Sequence, residues 1–374
     1  MRVLLTGGGT AGHINPALAI AEIVLQEEPN SEVAFVGIRG GKEEDLVPRE
    51  GFSLHFVKSR GIDRSKKKWS PQNLHAYWLA LTSPYMHKTV RIIKDFRPDI
   101  VIGTGGYACW PMMAAAARMG IPTALHESNA MPGLAVRRLQ EKVDMVWINF
   151  EDTKKRLSSD ASVIKVGNPL RHGFGTLSYA EAREKLGIDP KTKFVLSFGG
   201  SLGAEDVNTA VLEMMRSYSA VESDVLHVHA AGKRDFENTR CRFEEMGLHK
   251  SGSCVLTDYI YDMPLQMAAA DLVISRAGAM TLSELALMKK ACILIPSPYV
   301  TDDHQYLNAK ALADQGAAIL VEERTLSDGV LTDAAKRILS SVSARQKMQE
   351  SIAAFADENA NKQIWNLILQ LTKR

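Results

Sequence analysis

The chain has 374 residues, which is too long for one ordinary hydrophobic core and points to two domains with a cleft between them. Its 45% hydrophobic and 24% charged residues exclude a disordered or fibrous protein, and a formal net charge of +2 is too small to mark a nucleic-acid binder. Four cysteines (Cys109, Cys241, Cys254 and Cys292) include no C-x-x-C pair, which excludes a cysteine zinc site or a disulfide framework and leaves buried thiols in a reducing compartment.

The chain opens on "MRVLLTGGG", where only Val3 to Leu5 precede Thr6 and the glycines. That is too short for the apolar core of a secretory leader, so a cytoplasmic protein is expected. Short β-rich runs then alternate with helical patterns: "VLLT" (3–6), "VAFVG" (33–37), "IVIG" (100–103), "TALHE" (123–127), "MVWIN" (145–149) and "VIKVG" (163–167). The longest uncharged run, Ile100 to Ala117, contains Gly103, Gly105, Gly106 and Pro111, so it reads as strand, turn and helix rather than a membrane span. After Gly167 the alternation restarts with "FVLSFGG" (194–200), "LHVHAAG" (226–232), "CVLTDY" (254–259), "DLVIS" (271–275), "ACILIP" (291–296) and "AAILV" (317–321). Such runs separated by helices imply parallel sheets covered on both faces, and each half reads as doubly wound. Turn chemistry at Gly167-Asn168-Pro169 divides the chain into domains 1–167 and 168–354. A tail from about 355 to 374 carries Ile364, Trp365, Leu367, Ile368 and Leu371 at helical spacing.

In open α/β sheets ligands bind beyond the carboxyl ends of the strands, so the residues after each run are the candidates. The first loop, "TGGGTAGH", satisfies G-x-G-x-x-G through Gly7, Gly9 and Gly12, which suggests a dinucleotide fingerprint. A fingerprint also needs an acid closing the second strand and a helix starting among the glycines. Here no acid follows "VAFVG" until Glu43, and Asn15 with Pro16 suit an N-cap and first helical position, so the helix is expected after the glycines. What remains is a loop of backbone N–H groups suited to an anion, ending in His13, a general base or a bond to its own loop. Further on, "LHESNAMPG" sets His126, Glu127, Ser128 and Asn129 at a strand end, with Glu127 open between acid–base work, helix capping and a cation pair. "FGGSLGAEDVN" repeats the phosphate-loop pattern with Ser201 beside the glycines, and "SRAGAMTLSELALM" turns at Arg276-Ala277-Gly278 into a helix whose start suits phosphate. Glu284 in that helix suits a ribose diol or simply a first turn. Asp302-Asp303 reads as a solvated turn rather than a metal site. Between Lys58 and Tyr85 a basic run is followed by Trp69, Leu74, Tyr77, Trp78, Leu81 and Tyr85, which can lie on an anionic bilayer or pack inward beside a solvated loop.

Taken in order over nearly the whole chain, "GGGTAGHINPALAIA", "GTGGY", "HESNAMPG", "VGNPLR", "FGGSLGA", "SRAGAMTLSELA" and "DDHQYLNA" resemble the motifs of glycosyltransferase family 28, whose bacterial UDP-N-acetylglucosamine transferases complete lipid II. The resemblance implies the GT-B fold, α/β with two Rossmann-like doubly wound parallel-sheet domains and a cleft between them. The C-terminal domain would hold the UDP-sugar, the N-terminal domain the lipid-linked acceptor, and the last helix would return to the N-terminal domain. Donor contacts are implied at Thr10, Ala11 and Gly12 of the first loop, at Asn129, Arg171, Ser201 and Ile260, through Ala279, Met280, Thr281, Leu282, Ser283 and Glu284, and at Gln305. Glu284 would hold the ribose and Ile260 the uracil edge, with His13 and Glu127 as candidates for activating the acceptor. Ala11 departs from the family pattern by standing where a glycine is usual, and a left-handed backbone there would be strained.

The implied reaction is an inverting transfer of N-acetylglucosamine from UDP-N-acetylglucosamine to the 4-hydroxyl of the N-acetylmuramoyl unit of undecaprenyl-diphospho-muramoyl pentapeptide. A base takes the acceptor proton, while helix N-termini and Arg171 stabilise the departing UDP without a metal or other cofactor. The first glycine loop is expected to receive the acceptor's diphosphate. The resemblance also gives the segment at 58–85 an anionic membrane surface, hence a peripheral place on the cytoplasmic face of the cell membrane, with other cell-wall synthesis proteins as further partners and no nucleic acid. The residues leave open a different GT-B UDP-sugar enzyme (a lipid galactosyltransferase or an epimerase), a non-catalytic UDP-sugar-binding scaffold, and an NAD oxidoreductase.

Overall fold

Short apolar runs closed by glycine or polar turns build two separate parallel sheets in the computed structural model, which describes residues 1–57, 83–200, 203–219, 224–300 and 303–373. The expected membrane-facing segment at 58–85 falls almost wholly outside these residues. One compact unit comprises Met1–Arg171 with Asp357–Arg374, the other His172–Ala356.

In the first unit the strands are β1 (Arg2–Gly7), β2 (Glu32–Gly37), β3 (Ser53–Phe56), β4 (Ile100–Gly105), β5 (Thr123–Glu127), β6 (Met145–Ile148) and β7 (Val163–Lys165). They form one sheet in the order β3-β2-β1-β4-β5-β6-β7, with every pairing parallel. Helices α1 (Ala11–Glu27), α2 (Glu43–Arg49), α3 (Ser83–Phe96), α4 (Cys109–Arg118), α5 (Leu134–Leu139) and α6 (Glu151–Lys154) connect them. Strands β4 and β5 are buried along their whole length, which is why they read as continuous apolar runs. The winding reverses at β1, which pairs with β2 on one side and β4 on the other. Every run singled out in the sequence forms a strand, but β3 comes from none of them. Its residues "SLHF" lie at the sheet edge and alternate between exposed and half-buried, so they leave no apolar run to read.

The second unit repeats the plan with β8 (Lys193–Phe198), β9 (Val225–Ala230), β10 (Cys254–Thr257), β11 (Leu272–Ser275), β12 (Cys292–Leu294) and β13 (Ile319–Leu320), in the order β10-β9-β8-β11-β12-β13. Its helices are α7 (Tyr179–Leu186), α8 (Glu205–Ser219), α9 (Phe236–Glu245), α10 (Met263–Ala269), α11 (Ala279–Leu287), α12 (His304–Ala313), α13 (Val330–Leu339) and α14 (Val342–Ala353). Here the reversal falls at β8, between β9 and β11. The two sheets are thus doubly wound α/β structures, each with one switch point. Three cysteines are buried as expected, whereas Cys241 is exposed, because it lies on α9, a helix with few buried residues.

The C-terminal helix α15 (Ala360–Thr372) belongs to the first unit. Its Ile364 and Ile368 are fully buried in one core with Ile14, Leu18 and Ala21 of α1 and Leu5 of β1. Asn361 ties the chain's return to its exit: its Oδ1 accepts from Leu170 N–H and its Nδ2 donates to Leu170 O, both at 2.9 Å. Removing a buried isoleucine side chain costs the transfer energy plus a cavity, so Ile368→Ala is expected to lower unfolding free energy by about 2–5 kcal/mol in urea titrations. A loss below about 1 kcal/mol would show that α15 is not part of this core.

Candidate active site

Above the switch point of the first sheet, two glycine turns, at 7–9 and 105–106, pack backbone to backbone. The helix α1 starts at Ala11, not at Pro16 as the capping signals suggested. Thr10 is extended (φ −135, ψ 153) and its carbonyl accepts from His13 N–H at 3.1 Å and Ile14 N–H at 3.2 Å, so the helical ladder begins five residues early. Pro16 sits inside the helix near its N-terminal end, where a missing N–H gives up a single ladder bond. Ala11 is therefore helical and carries no left-handed strain. The loop's left-handed position is Gly9 (φ 84).

The acid that seemed too distant also reaches this loop. Glu43, the first residue of α2, is fully buried, and its carboxylate accepts from Gly9 N–H and from Ile38 N–H, each at 2.9 Å. Gly8 donates its own N–H to Gly105 O at 3.3 Å. The amides of Gly8 and Gly9, read from the sequence as anion donors, thus point into the protein. A carboxylate does close the second strand, yet it holds the protein's own backbone instead of a ribose.

His13 stands at the end of this loop. Its Nδ1 lies 3.1 Å from Gly8 O and 3.3 Å from Thr10 Oγ1, and its carbonyl accepts from Thr104 Oγ1 at 2.6 Å. A carbonyl can only accept, so Nδ1 carries the proton and Nε2 carries the lone pair, the tautomer that a general base needs. The "GTGGY" turn forms the wall beside it. A Cβ on Gly105 (φ 104) would stand 2.7 Å from the His13 ring, and one on Gly106 would stand 2.1 Å from Gly8 O. Tyr107, half exposed, lies across from Gly9, a position that the sequence reading passed over.

At the end of β5 the polar residues turn inward. Glu127 is buried, and Asn129 N–H (2.9 Å), Asn129 Nδ2 (3.1 Å) and Gly133 N–H (2.6 Å) all donate to its carboxylate. Burial raises its pKa while these donors oppose the rise. Of the three roles left open for Glu127, the geometry shows loop bracing and capping, since Gly133 is the N-cap of α5. His126 is also buried. Its Nε2 donates to Gly167 O at 2.9 Å, and burial lowers its pKa to about 4. Arg171 meets two carboxylates of its own unit: Nε donates to Glu22 at 2.7 Å, and its two terminal nitrogens grip Glu50 at 3.1 and 2.7 Å. Burial lowers its pKa, but Glu22 and Glu50 outweigh that and raise it.

In the second unit the glycine loop after β8 and the start of α11 lie at the corresponding strand ends. Gly200 and Gly203 are left-handed (both φ 95), and a Cβ on Gly203 would stand 2.3 Å from Ala231 O. Ser201 lies outside the described residues. Beneath the loop runs a polar chain, buried except for the half-buried Tyr218 at its end: Tyr218 bonds His227, Ser197 Oγ bridges His227 (2.7 Å) and His229 (2.8 Å), His229 donates to Asn208 Oδ1 (3.0 Å), and Asn208 donates to Ala231 O (3.0 Å). Gly278 caps α11 with an extended backbone and no side chain. Ala279, Met280 and Leu282 are buried, while Thr281, Ser283 and Glu284 are half-buried. The preceding turn is braced by Asn308 Nδ2 donating to Ala277 O at 3.3 Å and by Arg276, which pairs with Glu323. Gln305 Oε1 accepts from Ser297 N–H at 2.9 Å, and Ile260 is buried. Among the described residues no group of His, Cys, Asp or Glu could hold a metal ion, and no helix is long and apolar enough to cross a membrane.

Against known proteins, the glycosyltransferase family 28 N-terminal domain matches residues 3–148 and the family's C-terminal domain matches residues 194–364. A protein of Acetivibrio thermocellus named UDP-N-acetylglucosamine--N-acetylmuramyl-(pentapeptide) pyrophosphoryl-undecaprenol N-acetylglucosamine transferase is 39% identical over 373 residues, 100% of this chain and 99% of its own. One of the same name from Caldanaerobacter subterraneus is 38% identical over 100% of both chains. Among solved structures, MurG of Acinetobacter baumannii matches with a TM-score of 0.74 and 26% identity, covering 99% of each chain.

The buried histidines make stability depend on pH. Burial lowers the pKa of His229 to about 4, and that of His227 well below its ordinary value, so the unfolded chain takes up protons first as pH falls below 6.5. Their stabilising contribution is complete above that pH and is lost on acidification toward 4, at up to about 1.4 kcal/mol per pH unit for each histidine. Denaturant midpoints of the wild type should fall between pH 7 and pH 5, and His229→Gln should flatten the slope. An unchanged slope would contradict the buried neutral pair.

Proposed function

We propose that this chain, which belongs to glycosyltransferase family 28, transfers N-acetylglucosamine from UDP-N-acetylglucosamine to the 4-hydroxyl of undecaprenyl-diphospho-N-acetylmuramoyl-pentapeptide, with inversion at the sugar. The full-length match to relatives named for that transfer carries the reading.

The first unit is the acceptor half. His13 takes the proton of the attacking hydroxyl on Nε2, in keeping with its Nδ1 proton donated to Gly8. Glu127 positions the loop that carries Asn129, which fits its three N–H donors better than a proton-transfer role does. The second unit is the donor half. The glycine loop with Ser201 and the first turn of α11 (Ala279, Met280, Thr281, Leu282, Ser283) receive the diphosphate, where backbone N–H groups and the helix N-terminus stabilise the charge growing on UDP. Glu284 holds the ribose hydroxyls, Ile260 offers its backbone to uracil, and Gln305 holds the loop after β12 against the sugar. Thr10, Ala11 and Gly12 at the start of α1 and Arg171 complete the donor contacts. Because Glu22 and Glu50 already engage Arg171, its approach to UDP requires exchanging one carboxylate for the other anion. The enzyme works peripherally at the cytoplasmic face of the cell membrane, with the basic aromatic segment at 58–85 against the anionic surface and other cell-wall synthesis proteins nearby.

Labelled N-acetylglucosamine should pass from its UDP donor to a lipid-linked muramoyl acceptor, and failure of the wild type to transfer it would refute the assignment. His13→Ala should lower kcat by about 10²–10⁴-fold. Glu284→Gln should raise the KM for UDP-N-acetylglucosamine about tenfold, since an amide cannot accept both ribose hydroxyls, and an unchanged KM would remove Glu284 from the site.

A further inference from the structure

We infer that Glu43 is a positioning residue for the transfer: it acts on His13 through the single peptide unit that joins Gly8 to Gly9. The inference rests on the reading of His13 as the base. The C=O of Gly8 and the N–H of Gly9 belong to the same planar amide and point in opposite directions. On one side the N–H donates to Glu43 Oε2 at 2.9 Å, and on the other side the C=O accepts from His13 Nδ1 at 3.1 Å. A carboxylate bonded to the N–H polarises the amide and makes its carbonyl a stronger acceptor. The consequence is a carboxylate–peptide–imidazole relay that selects the Nδ1–H tautomer and stabilises the cation formed when Nε2 takes a proton. It does the work of the carboxylate in a serine-hydrolase triad, one peptide removed.

The surroundings are built around this carboxylate. Its other oxygen accepts from Ile38 N–H at 2.9 Å, so the group is held from two strand ends while being fully buried. A Cβ at Gly8, Gly37 or Gly41 would come within 2.4 Å of the Glu43 side chain, so three glycines together make its room. Gly9 reaches the needed orientation only with φ 84. Among the polar groups that meet His13 are the Gly8 carbonyl and the Thr10 hydroxyl at its ring and the Thr10 carbonyl and Thr104 hydroxyl at its backbone, with Tyr107 on the same turn as Gly105.

In the reaction the acceptor oxygen forms its bond to C1 of the sugar and gives its proton to Nε2 of His13. The bond from C1 to the phosphate oxygen breaks, and its electron pair leaves with UDP. The Nδ1 proton stays on His13 throughout, shared with the polarised carbonyl.

The test uses the full chain with ¹⁵N-labelled histidine, the His13 signals being identified by their loss in His13→Ala. Wild type is expected to show His13 with Nδ1 protonated and Nε2 bare. Glu43→Gln is expected to reduce that tautomer and to lower kcat by about tenfold or more, with the KM for UDP-N-acetylglucosamine within about twofold. A wild-type His13 protonated on Nε2 overturns the relay, as does a Glu43→Gln enzyme with unchanged tautomer and kcat. Should Glu43→Gln fail to fold, the wild-type spectrum decides alone. Full transfer by His13→Ala would instead remove the base assignment and leave the tautomer result standing on its own.

Discussion

In a doubly wound parallel sheet, the strand at which winding reverses has its carboxyl end uncovered by a crossover helix, so the loop there must satisfy its own backbone. The first unit meets this constraint with a carboxylate placed under the loop. Glu43 holds Gly9 N–H, Gly105 holds Gly8 N–H, and the remaining carbonyl orients His13. The close approach of the two glycine turns then follows, because any side chain at Gly105 or Gly106 would strike the His13 ring or the Gly8 carbonyl.

The two units answer the same constraint differently. The first unit turns its acids inward: Glu43 beneath one loop and Glu127 beneath another, each accepting backbone N–H groups. Its loops thereby have backbone N–H groups fixed by buried carboxylates. In the second unit the chain from Tyr218 through Ser197 to Asn208 ends on Ala231 O, against which Gly203 packs beside Asp235, and α11 begins at a glycine that has no side chain to cap it. A helix N-terminus of this kind favours negative charge.

The sheets were legible because their central strands are buried on both faces and so form unbroken apolar runs, whereas edge strand β3 is not and left no trace. The glycine turns at strand ends were legible for the same reason. The start of α1 was not: Asn15 and Pro16 are good terminal signals, but a backbone already turned by Thr10 and packed on β1 and β4 overrides local preference. Glu43 was visible only as an acid in the wrong place, since its carboxylate reaches the loop through a helix that starts six residues after the end of β2. Nor does the "HE" pair announce that Glu127 meets three N–H donors, or "NPLR" that Arg171 meets Glu22 and Glu50. Glu127 meets its donors because the chain after β5 folds back over it at Asn129 and Gly133, and the partners of Arg171 are distant in sequence, so residue type and spacing announce neither.

The central claim is that transfer proceeds by a single displacement in which a base, rather than a protein nucleophile, acts on the acceptor. The anomeric configuration of the transferred N-acetylglucosamine, read by NMR on the disaccharide product, tests it most directly. A β linkage, inverted from the α linkage of the donor, is the predicted result. An α linkage would require a covalent or other retaining path and would contradict the account.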